Sequence, residues 1–238
     1  MRAVVLAAGR GSRLGVLTQD QPKCFTPFRG RPLIHWQLEA LSQAGVSEIG
    51  VARGYLAEFW DRQALPVARY FTNPRWRETN MVASLACAAQ WLEQGPCLVS
   101  YSDIFYTADS VRRLQDAAGD IVITYDPNWL ELWRQRFADP LVDAETFRID
   151  PGGRLLEIGA KPKSLAEVQG QYMGLLKFTP AGWARVEAFR ASLPAEQADR
   201  LDMTGTLARL LAGGVEIRTV AIAERWYEID QASDLAVV

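Results

Sequence analysis

The chain is poor in the residues that build metal clusters and covalent cross-links. In 238 residues it has one histidine, His35, and three cysteines, Cys24, Cys87 and Cys97. A structural zinc site takes four nitrogen or sulfur ligands at close spacing, and one histidine with no CxxC pair excludes it. An odd number of scattered cysteines is expected to stay as free thiols in a reducing compartment. Long apolar runs are also missing. The first, Ala3–Ala8, stops at Gly9, too short for a signal segment, and nothing downstream reaches the length needed to cross a membrane. Neither sign of charge dominates, with 26 Lys and Arg against 28 Asp and Glu. The basic footprint of a nucleic-acid binder is therefore absent. The expectation is a cytoplasmic protein that engages neither nucleic acid nor membrane, its oligomeric state left open with a dimer as one option.

What is present is an ordinary globular composition, 49% apolar and 23% charged. Disordered, collagen-like and disulfide-stapled chains are thereby excluded. Short β-type runs alternate with helical ones. Ala3–Leu6, Ile49–Ala52, Val67–Phe71, Cys97–Tyr101 and Ile121–Tyr125 read as strands. Pro32–Ala44, Tyr55–Ala64, Met81–Gln94 and Ser110–Ala117 read as helices, with Gly45 ending the first and Thr79 or Asn80 capping the third. That alternation predicts an α/β fold, a mostly parallel sheet with helices on both faces.

After residue 140 the rhythm changes. Asp150-Pro-Gly-Gly153 between two apolar runs predicts a hairpin. Tyr172–Phe178 reads as a strand, Gly182–Ala191 and Thr204–Leu211 as helices, and Val215–Val220 and Trp226–Ile229 as strands. With no linker, repeat or low-complexity tract, the expectation is a single domain over 1–238. Its core spans about 1–125 plus a C-terminal return, and a small β-rich lobe spans about 140–225.

The residues that carry chemistry begin directly after the first strand. Leu6-Ala-Ala-Gly-Arg-Gly-Ser-Arg-Leu14 is followed by Gln21-Pro-Lys-Cys24. Glycines here let backbone N–H groups approach a phosphate with no Cβ in the way. Arg13 and Lys23 add two cations, which a triphosphate needs because its oxygens repel one another. A glycine-rich surface turn is the plain alternative, and the strand before it and the Pro-Lys after it weigh against that. Two other glycine-loop readings fail on spacing. A Walker loop needs GxxxxGK[ST], and no lysine follows Gly15. A dinucleotide GxGxxG starting at Gly9 needs glycine where Leu14 stands, which leaves NAD binding a weak alternative.

These residues, with Pro22-Lys23 and Gly30-x-Pro-Leu33, resemble the signature of the nucleotidyltransferase (NTP transferase) superfamily that makes activated sugars and alcohols. The departure is Val16, where many relatives have proline. The resemblance implies a Rossmann-like fold and assigns two further constellations. Asp103, after the strand Cys97–Tyr101, and Asp230, in Glu228-Ile-Asp230, take metal-binding positions, with Mg²⁺ as the cofactor. Ligands of parallel sheets do bind beyond the carboxyl ends of strands, and Mg²⁺ suits carboxylate and phosphate oxygens. Helix capping is the structural alternative for either aspartate.

Within the superfamily, Glu78-Thr-Asn-Met-Val-Ala-Ser-Leu85 is similar to the Asn-x-x-x-Ser-Leu stretch of phosphocholine cytidylyltransferases. Gly159-Ala-Lys-Pro162 keeps a phosphate-binding lysine, Lys161, but lacks the acid that holds sugar hydroxyls. The branch implied is the phosphocholine and phosphonate cytidylyltransferases. The Gln171–Phe178 stretch and Asp202-Met-Thr204 look closer to the phosphonate members. The expected reaction is transfer of CMP from CTP to a small phosphoryl or phosphonyl acceptor, such as 2-aminoethylphosphonate, a hydroxyalkylphosphonate or phosphocholine, with release of pyrophosphate. Arg13, Lys23 and Lys161 are the expected catalytic residues. Leu6, Ala7, Ala8, Gly9, Gly11, Ser12, Arg13, Lys23, Asn80, Ser84 and Ser102 are expected around the nucleotide, and Lys161, Tyr172 and Glu228 around the acceptor. Trp129, Trp133, Tyr172 and Trp226 could cage a quaternary ammonium, although core packing is the default for each. His35, in a helix, is expected to pack or face solvent rather than act as a base. The rivals are a sugar-1-phosphate nucleotidyltransferase and a catalytically silent nucleotide-binding regulatory subunit.

Overall fold

The alternation in the sequence builds one central sheet. In the computed structural model, which describes residues 1–236, its seven strands are β1 (Arg2–Ala7), β2 (Glu48–Arg53), β3 (Arg69–Thr72), β4 (Cys97–Tyr101), β5 (Ile121–Asp126), β6 (Gln171–Phe178) and β7 (Arg218–Ala221). Their spatial order is β7-β5-β6-β4-β1-β2-β3. All neighbours run parallel except β6, which is antiparallel to both β4 and β5.

Side chains alternate along β1 as a two-sided strand requires. Ala3, Val5 and Ala7 enter one core and Val4 and Leu6 the other. The first core is closed by α1 (Leu33–Gln43), α4 (Ala108–Asp116) and α5 (Trp129–Arg136). The second is closed by α2 (Met81–Ala86), α3 (Ala89–Gln94), α6 (Pro180–Ala191) and α7 (Met203–Ala212). Side-chain oxygens of Thr107, Thr179 and Asp202 cap α4, α6 and α7. No helix among the described residues is long and apolar enough to cross a membrane.

Several sequence expectations shift. The stretch 81–94 is two helices, because Ala88 leaves helical geometry and its N–H bonds back to Leu85 O at 2.8 Å, a tighter turn. The stretch 55–64 keeps only one turn, Ala57–Trp60. Residues 171–178 and 218–221 belong to the central sheet rather than to the lobe. The lobe's own strands are the hairpin Phe147–Ile149 and Leu155–Ile158.

Candidate active site

The site lies beyond the carboxyl ends of β1 and β4, where the connection from β1 to β2 and the placement of β4 diverge to opposite sides of β1. This is the switch point at which open α/β sheets bind ligands. Leaving β1, the chain is pinned by Tyr55 N–H, which donates to Ala8 O at 2.9 Å. Gly11 then takes φ +67°, and a Cβ there would stand 2.7 Å from the Lys23 side chain. Glycine at 11 is thus required twice, by the left-handed backbone and by the lysine lying across it. The loop ends in the short helix Ser12–Thr18, on which Arg13 stands.

The two aspartates meet through a long-range pairing. Tyr227–Glu228 pairs antiparallel with Ile104–Phe105, and Ile229 N–H donates to Asp103 O at 2.8 Å. Asp230 is thereby delivered beside Asp103. Lys23 Nζ sits between them, 2.8 Å from Asp103 Oδ2 and 2.7 Å from Asp230 Oδ1. Arg13 Nη1 pairs with the other oxygen of Asp230. Burial alone would lower the Lys23 ammonium's pKa, but the two carboxylates overcome it and raise it, so the charge is secure at neutral pH.

A divalent cation would find a fitting donor set here. Asp103 Oδ1 is buried with no hydrogen-bond partner. The described residues hold no group of three or more His, Cys, Asp or Glu able to bind a metal. Two carboxylates with the remaining positions left to phosphate and water is the usual arrangement for Mg²⁺.

The cleft has two ends. One, of about 350 Å³, is lined by the glycine loop, Lys23, Asp103 and Asp230, and extends to Trp76, Asn80, Met81 and Ser84. The other, of about 340 Å³, shares Arg13, Met81, Tyr101 and Asp230 with the first. It continues to Trp133, Tyr172, Gly174 and the carboxylates Asp143, Glu145, Asp202 and Glu228. Arg13 is the one cationic side chain lining that end among the described residues. Burial raises the Glu145 carboxyl, and Asp202 and Asp143 add to the shift. Burial also raises Glu228, opposed by Arg136 and reinforced by Asp103 and Asp230. Gly174 takes φ +79°, and a Cβ there would stand 2.6 Å from the Tyr101 ring, which packs edge-on to Tyr172 at 5.8 Å.

Most residues named from the sequence gather along this cleft. Leu6, Ala8, Gly9, Gly11, Ser12, Arg13, Lys23, Asn80, Ser84, Ser102, Asp103 and Asp230 line the first end, and Tyr172 and Glu228 the second. Ala7 is buried beneath the loop. Asn80 and Ser84 also hold structure: Asn80 Oδ1 accepts from Met81 N–H at 2.7 Å, and Ser84 Oγ accepts from Asn73 at 2.9 Å.

Lys161 does not line the cleft. It is exposed, and its ammonium donates to the carbonyls of Leu141 and Val142, bracing the loop that carries Asp143 and Glu145. The expected aromatic cage reduces to Trp133 and Tyr172. Trp129 and Trp226 are buried elsewhere, donating to Val168 O at 3.2 Å and to Asp126 at 2.8 Å. His35 is exposed on α1, away from both ends. Sequence reasoning missed Trp76 and the carboxylates Asp143 and Glu145. The last two flank buried Ala144 in an irregular segment with no periodic signal.

Comparison with known proteins bears on the chemistry. Residues 3–156 match the MobA-like NTP transferase domain. The chain is 36% identical over 250 aligned positions to CTP:phosphoglutamine cytidylyltransferase of Campylobacter jejuni, covering all of this chain and 98% of that one. It is 32% identical over 111 positions to 2-aminoethylphosphonate cytidylyltransferase of Lancefieldella rimae, covering 46% of this chain and 45% of that one. Among solved structures, the CTP:phosphocholine cytidylyltransferase of Streptococcus pneumoniae superposes with a TM-score of 0.74 at 20% identity, over 99% of this chain and 96% of that one.

Proposed function

The chain belongs to the MobA-like NTP transferase family and is a nucleotidyltransferase, and we propose that it moves CMP from CTP onto a short phosphoryl or phosphonyl acceptor that also carries a cationic nitrogen. The single observation that carries this reading is the division of one cleft into two charge environments. At one end Gly9, Gly11, Lys23 and Arg13, which also reaches the other end, offer backbone donors and cations, with Asp103 and Asp230 available to a divalent ion. Asp143, Glu145, Asp202 and Glu228 stand with Trp133 and Tyr172 at the other. A substrate carrying only anionic groups would be repelled from the second end. An ammonium there meets carboxylates and aromatic faces. Each of the two cytidylyltransferases aligned in sequence is named for an acceptor that bears both kinds of group, which supports the same reading.

The reaction follows from the placement. An acceptor oxygen attacks the α-phosphorus in line, a new P–O bond forms, and the bond to the β-phosphate breaks with its electrons leaving on pyrophosphate. The acceptor is already an anion near neutral pH, so no general base is needed. Catalysis is positioning and charge neutralisation. The glycine loop and Arg13 hold the triphosphate. Lys23 turns from the aspartates to the phosphates as they arrive and neutralises the departing charge. Asp103 and Asp230 would hold Mg²⁺, whose contribution is to polarise and neutralise phosphate oxygens. Lys161 acts indirectly, by holding the loop of Asp143 and Glu145.

The test is pyrophosphate release from four nucleoside triphosphates against phosphocholine, 2-aminoethylphosphonate, phosphoglutamine, propylphosphonate and glucose 1-phosphate. CTP with the nitrogen-bearing acceptors is expected to be efficient. Propylphosphonate, lacking the cation, should lose two or more orders of magnitude in kcat/KM, since a charged site left unmatched discriminates strongly. Preference for glucose 1-phosphate, or equal use of propylphosphonate, would overturn the reading.

A further inference from the structure

Behind the cleft lies an ionic cluster that joins Glu228 to Arg136 and Asp234, two residues with buried side chains that neither the sequence motifs nor the reaction above uses. Arg136, the last residue of α5, has a side chain 2% exposed. Its guanidinium donates to Glu228 Oε2 at 2.7 Å and grips both oxygens of Asp234, at 3.1 and 3.2 Å. Asp234, also 2% exposed, turns one oxygen to the backbone, accepting from Asp230 N–H at 2.8 Å and Gln231 N–H at 2.9 Å. The same guanidinium lies 5.0 Å from the Trp133 ring, which lines the acceptor end.

We infer that Arg136 is a positioning residue: through Asp234 it fixes the backbone of Asp230, and through Glu228 it fixes one wall of the acceptor end, so that one guanidinium sets both. Burying two carboxylates and a guanidinium costs several kcal/mol in desolvation, and an apolar cluster of equal volume is often as stable. Stability alone therefore gives no reason for the cluster, whereas orientation does. Arg136 presents directed N–H groups from a rigid plane and can serve two carboxylates at fixed angles, which a lysine cannot. The carboxylate it holds spans two successive amides, one belonging to the residue whose side chain faces Asp103 and Lys23. Groups that orient a metal-binding residue in this way typically alter metal affinity by about 10–100-fold when lost.

The inference rests on the proposed function for the nucleotide, the metal and the acceptor used in its test. Arg136→Lys keeps the charge and removes the fork. In the folded variant, Mn²⁺ affinity in the presence of CTP, read from the free-ion signal by electron paramagnetic resonance, is expected to fall about 10–100-fold. Metal-free CTP binding should stay within about twofold, and the Asp230 and Gln231 amides should exchange hydrogen faster. Steady-state kinetics should show the KM values for Mg²⁺ and for 2-aminoethylphosphonate rising together, with little change for CTP. Asp234→Asn, which removes charge at nearly constant shape, should reproduce the metal effect while leaving the acceptor KM closer to wild type. Wild-type Mn²⁺ affinity and amide exchange in either folded variant overturns the inference. So does failure of both variants to fold, because the cluster would then serve stability. Failure of the wild-type protein to bind CTP would strike the proposed nucleotide instead, and the exchange measurement would still decide the role of Arg136.

Discussion

Replacing Lys23 by methionine tests the centre of the site, because this lysine has two duties that pull in opposite directions. Its ammonium is held between Asp103 and Asp230 by a side chain only 10% exposed, and the carboxylates are themselves mostly covered. Lys23→Met keeps the Cβ and Cγ methylenes that lie over Gly11, puts sulfur where Cδ stood, and deletes the charge, leaving two carboxylates facing each other. Breaking a well-buried pair costs about 3–5 kcal/mol, and the partial exposure here brings that to about 2–4 kcal/mol. For a chain of this size each kcal/mol moves Tm by about 2–4 °C, so a fall of about 5–15 °C is expected. The vacated space also changes the response to metal. With the ammonium gone, the aspartates should take Mg²⁺ without nucleotide. At tenfold over a millimolar-range Kd, that returns about 1.4 kcal/mol, or roughly 3–6 °C. Thermal melts with and without 10 mM Mg²⁺ read both effects, and turnover should drop about 10²–10³-fold from lost charge stabilisation. Two results refute the reasoning: a variant as stable as wild type without metal, or a Mg²⁺ shift as large in wild type as in the variant.

Other expectations are more local. Gly11→Ala meets both a left-handed backbone and the Lys23 side chain at 2.7 Å, so CTP affinity by calorimetry should fall at least about tenfold. Asp103→Asn should fold normally and need far more Mg²⁺ for half-maximal rate, and an unchanged Mg²⁺ requirement would remove Asp103 from that role. Because the Glu145 carboxyl is raised, it begins to protonate above the ordinary carboxylate range as pH falls. Charge is what attracts the ammonium, so with falling pH wild type should lose preference for 2-aminoethylphosphonate over propylphosphonate more than Glu145→Gln does, the comparison between the two proteins cancelling the different titrations of the two phosphonates. Glu228, whose carboxyl burial also raises, keeps part of the dependence in the variant. Burial raises all three thiols, but Cys24 and Cys97 are buried and Cys87 is exposed, so iodoacetamide should label Cys87 alone in the native protein, as peptide mapping would reveal.

The gathering of the glycine loop, Arg13 and Lys23 at one end of the cleft was legible in the sequence because its parts are local. A strand, two glycines, an arginine and a Pro-Lys step lie within about twenty residues, and each has a short-range physical reason to be there. Both aspartates were assigned through resemblance, with the place of Asp103 just after β4 agreeing. Asp230 has no such local sign. Its approach depends on Tyr227–Glu228 pairing with Ile104–Phe105 across more than a hundred residues, and no local periodicity encodes that. The carboxylate-lined end of the cleft was least legible. Asp143 and Glu145 lie in an irregular stretch, and helix α5, which carries Trp133 and Arg136, was not read from the sequence, although Asn128 stands at its N-cap without a side-chain hydrogen bond. Lys161 shows the opposite error: the segment around it matches a motif, yet its side chain is spent on the carbonyls of a neighbouring loop. The break at Ala88 was invisible because alanine-rich sequence favours continuous helix, and the second segment takes its direction from tertiary burial, of Trp91 against Phe71 at 5.1 Å and of Leu92 in the same core.

The antiparallel strand β6 also fixes an order of events during synthesis. It lies between β4 and β5, so those two strands, both complete by residue 126, have no bonded contact with each other. Until residues 171–178 leave the ribosome, β4 offers an open edge and β5 has no partner. A nascent chain cut at residue 156, where the family match ends, would present those unpaired edges to any other chain, the condition under which strands associate wrongly. The last strand in the middle of the sheet is thus a late keystone, and folding should be slow and set by that long closure rather than by the well-formed N-terminal half. Ribosome-arrested chains ending before and after residue 180 should differ sharply in protease resistance.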